Sequence, residues 1–228
     1  LGKKVKDESA KRMGGLSFFL ALLAFTVLAL SNLAALPQVL RLGTSQDWRM
    51  LLAGGALGLA IKIFLIRGRI AVFIHEYKHF VVASVVGNKI KALALNDDNS
   101  GHVQYSYTKA NAHYNAMIAL APYWLPLFTA PAALTMLFPF GASPLGLVLI
   151  ATCYTVDTLT GLEDIHPRQS DINLIRGGFV VGLSYLIACH VTVGTFVLAW
   201  ILGKGDGLKL LFFTLWQAVE AVVLDFNR

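Results

Sequence analysis

Apolar residues run through this chain in long stretches, and polar residues collect in short breaks between them. Gly14 to Leu36 is the first such stretch, closed by Pro37. It is long enough to cross a bilayer, whose hydrocarbon core of roughly 30 Å takes about 20 helical residues. Trp48 to Val86 follows and would extend about 58 Å as one helix at 1.5 Å per residue. Its interior carries Lys62, Arg67 and Arg69, with Gly68 as a break point. Ala112 to Phe138 contains Pro122, Pro126 and Pro131, which predict kinks. Pro144 to Leu162, Leu174 to Leu202 and Leu208 to Leu224 complete the set. Between Lys89 and Tyr107 the pattern changes. The runs "KIKALAL" and "HVQYSY" flank the turn-rich "NDDNSG" and predict a β-hairpin. "EDIHPRQSD", Glu163 to Asp171, reads as a polar loop.

Composition agrees with this pattern. The 228 residues are 56% hydrophobic and only 14% charged, where a soluble domain carries about a quarter charged residues. Mean hydropathy is +0.64. The expected fold is an all-α membrane protein: a polytopic helical bundle of about six transmembrane segments with a short β-hairpin. Residues 1–13 would form a lysine-rich tail and residues 14–228 a single membrane domain. Counting Trp48 to Val86 as one crossing puts both termini on one side. That side holds Lys3, Lys4, Lys6, Lys11, Arg12, Lys89, Lys91, Lys109, Arg168, Arg176 and Arg228, against Arg41, Arg49, Lys204 and Lys209 on the other. Basic residues gather on the cytoplasmic face of membrane proteins, so the tail is assigned there. A seven-span count fits the rule less well. The net charge of +6 then sets orientation, and no nucleic-acid partner is expected. Cys153 and Cys189 lie in apolar runs and read as buried thiols.

The chemistry sits in "IAVFIHEYKHFVVASVVG", where two histidines, a glutamate and a lysine interrupt an apolar run. Ionisable groups are costly in lipid and usually functional there. His75 and His79 are four residues apart, so on a helix they share a face one turn apart. Two imidazoles so placed can grip one Zn2+ ion at about 2.0 Å each. Zinc lowers the pKa of a coordinated water toward neutrality. Glu76, about 100° around the helix from His75, can take that proton and pass it to a leaving amine. This is the mechanics of the H-E-x-x-H helix.

A catalytic zinc needs a third protein ligand and an open position. Asp171 is chosen, because it ends the polar loop and opens the helix "INLIRGGFVVGLSYLIA". Asp164, His166 and Asp157 are rivals, and an N-cap is the structural alternative for Asp171. Asn111 and Asn115 open the span after the hairpin. Asn115 is a candidate substrate-binding residue that would polarise a carbonyl or steady an oxyanion, with helix capping as the alternative.

An H-E-x-x-H helix followed by "GNKIKALAL", a turn, a second strand, a proline-containing span and a late aspartate resembles the site-2 protease family of intramembrane zinc metalloproteases. The resemblance covers roughly residues 70–178, the expected core of the domain. It implies His75, His79 and Asp171 as zinc ligands, Glu76 as catalytic base, and cleavage of transmembrane or membrane-proximal segments of proteins in the bilayer. The family usually has a small residue before the second histidine, where this chain has Lys78. It commonly has glycine after the late aspartate, where this chain has Ile172. Lys78 would pair with Asp164 or Asp171, crowd a neighbouring helix, or tune the site. The implied location is the plasma (inner) membrane, multi-pass, with the active site toward the cytoplasm. The hairpin edge, His102 to Tyr107, would hold an extended substrate or lie on the membrane surface. Lys62, Arg67 and Arg69 would line a cleft leading to the zinc. The competing reading is a non-proteolytic membrane zinc-binding protein, a transporter or a degenerate regulator. Oligomeric state is not legible.

Overall fold

The computed structural model describes residues 13–96 and 100–226. The tail expected over residues 1–13 therefore lies, apart from Met13, outside the described residues. The chain is mostly helical, with one two-stranded sheet. In order, the elements are α1 (Leu16–Leu42), α2 (Ser45–Phe64), α3 (Arg69–Val85), β1 (Lys89–Leu95), β2 (Gly101–Ser106), α4 (Asn115–Trp124), α5 (Thr129–Leu134), α6 (Pro144–Glu163), α7 (Ser170–Asn173) and α8 (Gly178–Phe226). Among the described residues, α1, α6 and α8 are long and apolar enough to cross a membrane, with a fourth span if α4 and α5 count as one bent pair.

Most of the predicted elements are present, with several boundaries moved. Pro37 does not close the first helix, which runs on to Leu42. The Trp48 to Val86 stretch is not one helix. It breaks at Leu65–Gly68, where Gly68 takes a positive φ of 51° that glycine adopts without a Cβ clash. The last long helix begins at Gly178 rather than Leu174, because Gly177 and Gly178 both hold positive φ. Asp171 consequently lies in the separate four-residue α7. At the far end, α8 is two helical arms meeting at Lys204, whose φ of 47° and ψ of −131° are not helical. A Cβ on Gly207 would run into the carbonyl of Ala199. Eight residues of straight helix span about 12 Å, so the chain turns sharply here, and the predicted separation into two runs holds. Such a backbone is uncommon for a residue with a side chain. Here the Lys204 ammonium pairs with Asp47, itself the N3 residue of a capping box with Thr44 at the start of α2.

The span with three prolines contains the sharpest bend. The α4 and α5 axes differ by 82°. Pro126 lies in the break, and Leu125 before it is extended (ψ 122°), as the proline ring requires of its predecessor. The hairpin forms in the expected place. β1 and β2 are antiparallel, with a register shift between Ile90 and Ala92.

Close packing between helices holds the bundle. Phe18, Tyr123, Ile172, Tyr185 and Leu186 form the core beside the predicted site, where Phe18 and Phe25 of α1 meet Tyr185 of α8 edge-on or tilted. Ile150, Ala151, Val197 and Ile201 join α6 to α8. Between α2 and α6 the contact is backbone to backbone. Gly54 and Gly58, a G-x-x-x-G pair, leave room for Ala151, Thr152 and Thr155, and Thr152 donates its hydroxyl to the Gly54 carbonyl at 3.2 Å. Small residues at this spacing allow helices in lipid to approach closely. A Cβ on Gly58 would come within 2.7 Å of the Thr152 carbonyl and the Thr155 side chain, whereas one on Gly55 meets only Thr155 Oγ1 at 3.9 Å. Gly58→Leu is therefore expected to destabilise the bundle by about 1–3 kcal/mol, the usual overpacking range, and Gly55→Ala to change little. Thermal unfolding in detergent micelles measures both.

Candidate metal centre

Helix α3 presents His75 and His79 on one face, with ring centroids 5.2 Å apart. The two rings are oriented by different partners. His79 Nδ1 lies 2.7 Å from the backbone carbonyl of Ile118. A carbonyl only accepts, so His79 carries its proton on Nδ1 and has its lone pair on Nε2. His75 Nδ1 lies 2.8 Å from Asp164 Oδ2 and donates to it. Both Nε2 atoms then point the same way, toward α7. There Asp171 Oδ2 stands 3.5 Å from His79 Nε2 and 3.9 Å from His75 Nε2. Tyr123 of α4 donates its hydroxyl to the same carboxylate oxygen at 3.2 Å.

One ligand atom from each of His75, His79 and Asp171 falls in a cluster with no separation above 4.8 Å. Ligands of a tetrahedral zinc with bonds of 2.0–2.1 Å sit roughly 3.3–3.5 Å from one another, so these spacings fit an ion with small adjustment. Two imidazole nitrogens and a carboxylate oxygen suit zinc chemically. The Asp164 and Ile118 contacts supply the outer hydrogen bonds that fix ligand tautomers in metal sites.

The rivals for the third ligand have other partners. Asp164 orients His75. Asp157 accepts from the backbone amides of Phe128 and Thr129 and from the Thr129 hydroxyl, at 2.7–2.8 Å. His166 Nδ1 accepts from the Arg168 amide. The cap position of α7 belongs to Gln169, and no side chain caps it. Lys78 pairs with Asp157 at 3.5 Å rather than with Asp164 or Asp171, because it stands beside the metal face, on the flank of α3 opposite Glu76.

A cavity of about 390 Å³ opens over the histidines, Glu76 and Asp171, walled by β2 through Gly101, Val103 and Tyr105. The hairpin thus stands at the site. Gly101 is required there: a Cβ would sit 2.7 Å from Glu76 Cγ and 2.9 Å from Val72 Cγ1. A second cavity, of about 230 Å³, adjoins the first across His75, Glu76, Gly101 and Gln169, and is lined further by Thr160, Glu163 and Asp164. A third, of about 370 Å³, shares Glu163 and holds Lys62 and Arg67. Lys62 pairs with Glu163, and the Arg67 guanidinium lies 5.8 Å from the centre of the Phe64 ring. Lys62 and Arg67 thus line a cavity that shares Glu163 with the one beside the site, and Arg69 lines neither. Asn115 is buried one turn before the cavity-lining Ile118 and Ala119, and Asn111 donates to the Val86 carbonyl at 3.0 Å.

Residues 50–160 match the family model described as Peptidase M50B-like. The match supports assignment to the site-2 protease family, M50. The matched residues include the whole of α3 and its His75–His79 pair, and they end before Asp171. No curated protein and no solved structure matches the chain.

Tyr123, Ile118, Asp164 and Gly101 are the site residues that sequence reasoning did not assign to these positions. Only Asp164 had a signal, as a carboxylate in the loop beside Asp171. The geometry separates the two aspartates. Asp171→Ala should abolish stoichiometric zinc, whereas Asp164→Ala should keep zinc but weaken it by about 10–100-fold, the usual cost of losing an outer partner. Competition with a chelator of known affinity, on purified protein, reads both.

Proposed function

We propose that this chain is an intramembrane zinc endopeptidase that cleaves transmembrane or membrane-proximal peptide bonds of membrane-protein substrates. The observation that carries this reading is the convergence of His75, His79 and Asp171 on one point, beside Glu76, in a chain whose residues 50–160 match a metallopeptidase family model.

His75, His79 and Asp171 would hold the zinc. Bound there, zinc supplies Lewis acidity toward water and a peptide carbonyl. The chain's own residues do the rest. Glu76 accepts a proton from the attacking water and returns it to the departing amine, the role of a positioned carboxylate base. Tyr123 and the two outer hydrogen bonds hold the ligands in place before substrate arrives. β2, at the wall of the cavity, offers strand edges to an extended peptide, which suits a substrate helix that must unwind before its amide is accessible. Asn115 is assigned to the substrate side, near the carbonyl.

Six crossings accommodate these elements: α1, α2 with α3, α4 with α5, α6, and the two arms of α8. Contacts support pairing α2 with α3 in one crossing. The start of α2 is tied to the Lys204 turn by Asp47, while the end of α3 is tied by Asn111 to the start of the α4 span. The basic excess supports a site toward the cytoplasm, and the plasma (inner) membrane is the membrane proposed. A zinc-binding protein without peptidase activity is the reading this proposal competes with.

Glu76→Gln decides between them. It should retain zinc and lower the cleavage rate of a single-span membrane protein by about 10²–10⁴-fold, the range for a lost general base. Undiminished cleavage by this variant would remove the mechanism. The assay pairs zinc content with gel detection of the cut product across a panel of single-span proteins in liposomes.

A further inference from the structure

Lys78 is fully buried, on the helix that carries the zinc-ligating histidines. Its ammonium donates to the Pro122 carbonyl at 3.4 Å and pairs with Asp157 Oδ1 at 3.5 Å. Pro122 lies on one side of the bend between α4 and α5, and Asp157, on α6, contacts the other side. Pro122 is in the last turn of α4, whose carbonyls have no helical partner. Asp157, 5% exposed, meets the start of α5 through its other oxygen, which accepts from the Phe128 and Thr129 amides and the Thr129 hydroxyl. Lysine and aspartate therefore serve the two open ends of a broken helix, and their charges face each other between them. Asp157 Oδ1 makes no hydrogen bond among the described residues, so Lys78 is its charge partner.

Broken backbone at membrane depth survives only where protein groups satisfy it. A single ion pair does so here, and one of its members rides on the catalytic helix. The part of α4 that it holds carries two groups of the metal centre. Ile118, one turn before Pro122, accepts from His79 Nδ1, and Tyr123, the next residue after Pro122, donates to Asp171. A shift of α4 against α3 would move the partner of one ligand and the partner of another together.

We propose that Lys78 and Asp157 form a positioning clamp that sets the register of α3 against the α4–α5 bend, and through it the geometry of the His75–His79–Asp171 site. The clamp rests on the reading of that site as a metal centre. It requires no peptidase activity. Lys78 and Asp157 are positioning residues: neither reaches the metal ligands' coordinating atoms.

The test uses the full chain in detergent, with Zn2+ and Co2+ as the only probes. Lys78→Met removes the ammonium and keeps an unbranched chain. Asp157→Asn keeps an acceptor oxygen for the Phe128 and Thr129 groups and removes only the charge. The clamp predicts that each variant lowers zinc affinity at least tenfold and alters the positions of the visible Co2+ bands, which report ligand geometry. A loss of folded protein alone would scale those bands without moving them. Residues acting as one unit are not additive, so the double variant should lose no more than the worse single variant. Wild-type affinity and bands in both single variants overturn the clamp, as do losses that multiply in the double variant or a wild-type chain that binds neither ion. Should Lys78→Met fail to fold, Asp157→Asn alone carries the same outcomes. Because these readouts need no cleavage, a chain with a tenfold loss of affinity in the variants and no proteolysis in the wild type upholds the clamp and defeats the peptidase reading.

Discussion

The constraint that organises this molecule is the cost of polar groups inside an apolar bundle. A metal site needs at least three lone pairs aimed at one point, each on a side chain that water would otherwise solvate. In a low-dielectric interior every such group needs a partner, or its burial costs several kcal/mol. The candidate metal site meets this by layering. His75, His79 and Asp171 face one another, and behind them stand Asp164, the Ile118 carbonyl and the Tyr123 hydroxyl. Asp164 comes from the end of α6 and the other two from α4, so the site forms only when α3, α4, the end of α6, and α7 are all packed.

The same cost governs the breaks in the helices. A bend of 82° between α4 and α5 frees carbonyls at one end and amides at the other. Lys78 and Asp157 occupy those positions. At Lys204 a non-helical residue interrupts the longest helix, and its ammonium reaches the Asp47 carboxylate that also caps α2. In both places a buried carboxylate serves backbone amides and a lysine at once. Buried pairs of this kind add little net stability against an apolar substitute. What they supply is a fixed relation between elements that would otherwise slide in a uniformly greasy interface.

Much of this was legible in the residues. The i, i+4 histidines needed only helical geometry, and the hairpin needed only the change from apolar runs to short alternating ones around a turn. Asp171 was reached through the need for a third ligand near the same membrane face. Other features were not legible, for identifiable reasons. A proline-rich span announces a kink but not its angle, so the 82° bend and its partners stayed hidden. Lys78 was expected to meet Asp164 or Asp171, yet its place on the flank of α3 opposite Glu76 turns it to Asp157 of α6. Gly54 and Gly58 did carry a readable spacing for close helix packing. It was overlooked beside the charged residues that follow it. Tyr123 and Gly101 matter through contacts made across the bundle, which no local pattern records.

The three candidate ligands are held with unequal firmness. His75 and His79 sit in the middle of a continuous helix, where backbone hydrogen bonds on both sides fix their separation. Asp171 sits in a four-residue helix flanked by a polar loop and by two glycines at positive φ. Its position depends on neighbours instead. Ile172 is wholly buried against the core, Met13 pairs with the backbone on either side of Ile175, and Tyr123 holds the carboxylate. An ion bound at this site would therefore join a rigid element to one that owes its place to packing, and would itself contribute to the order of the loop that completes it.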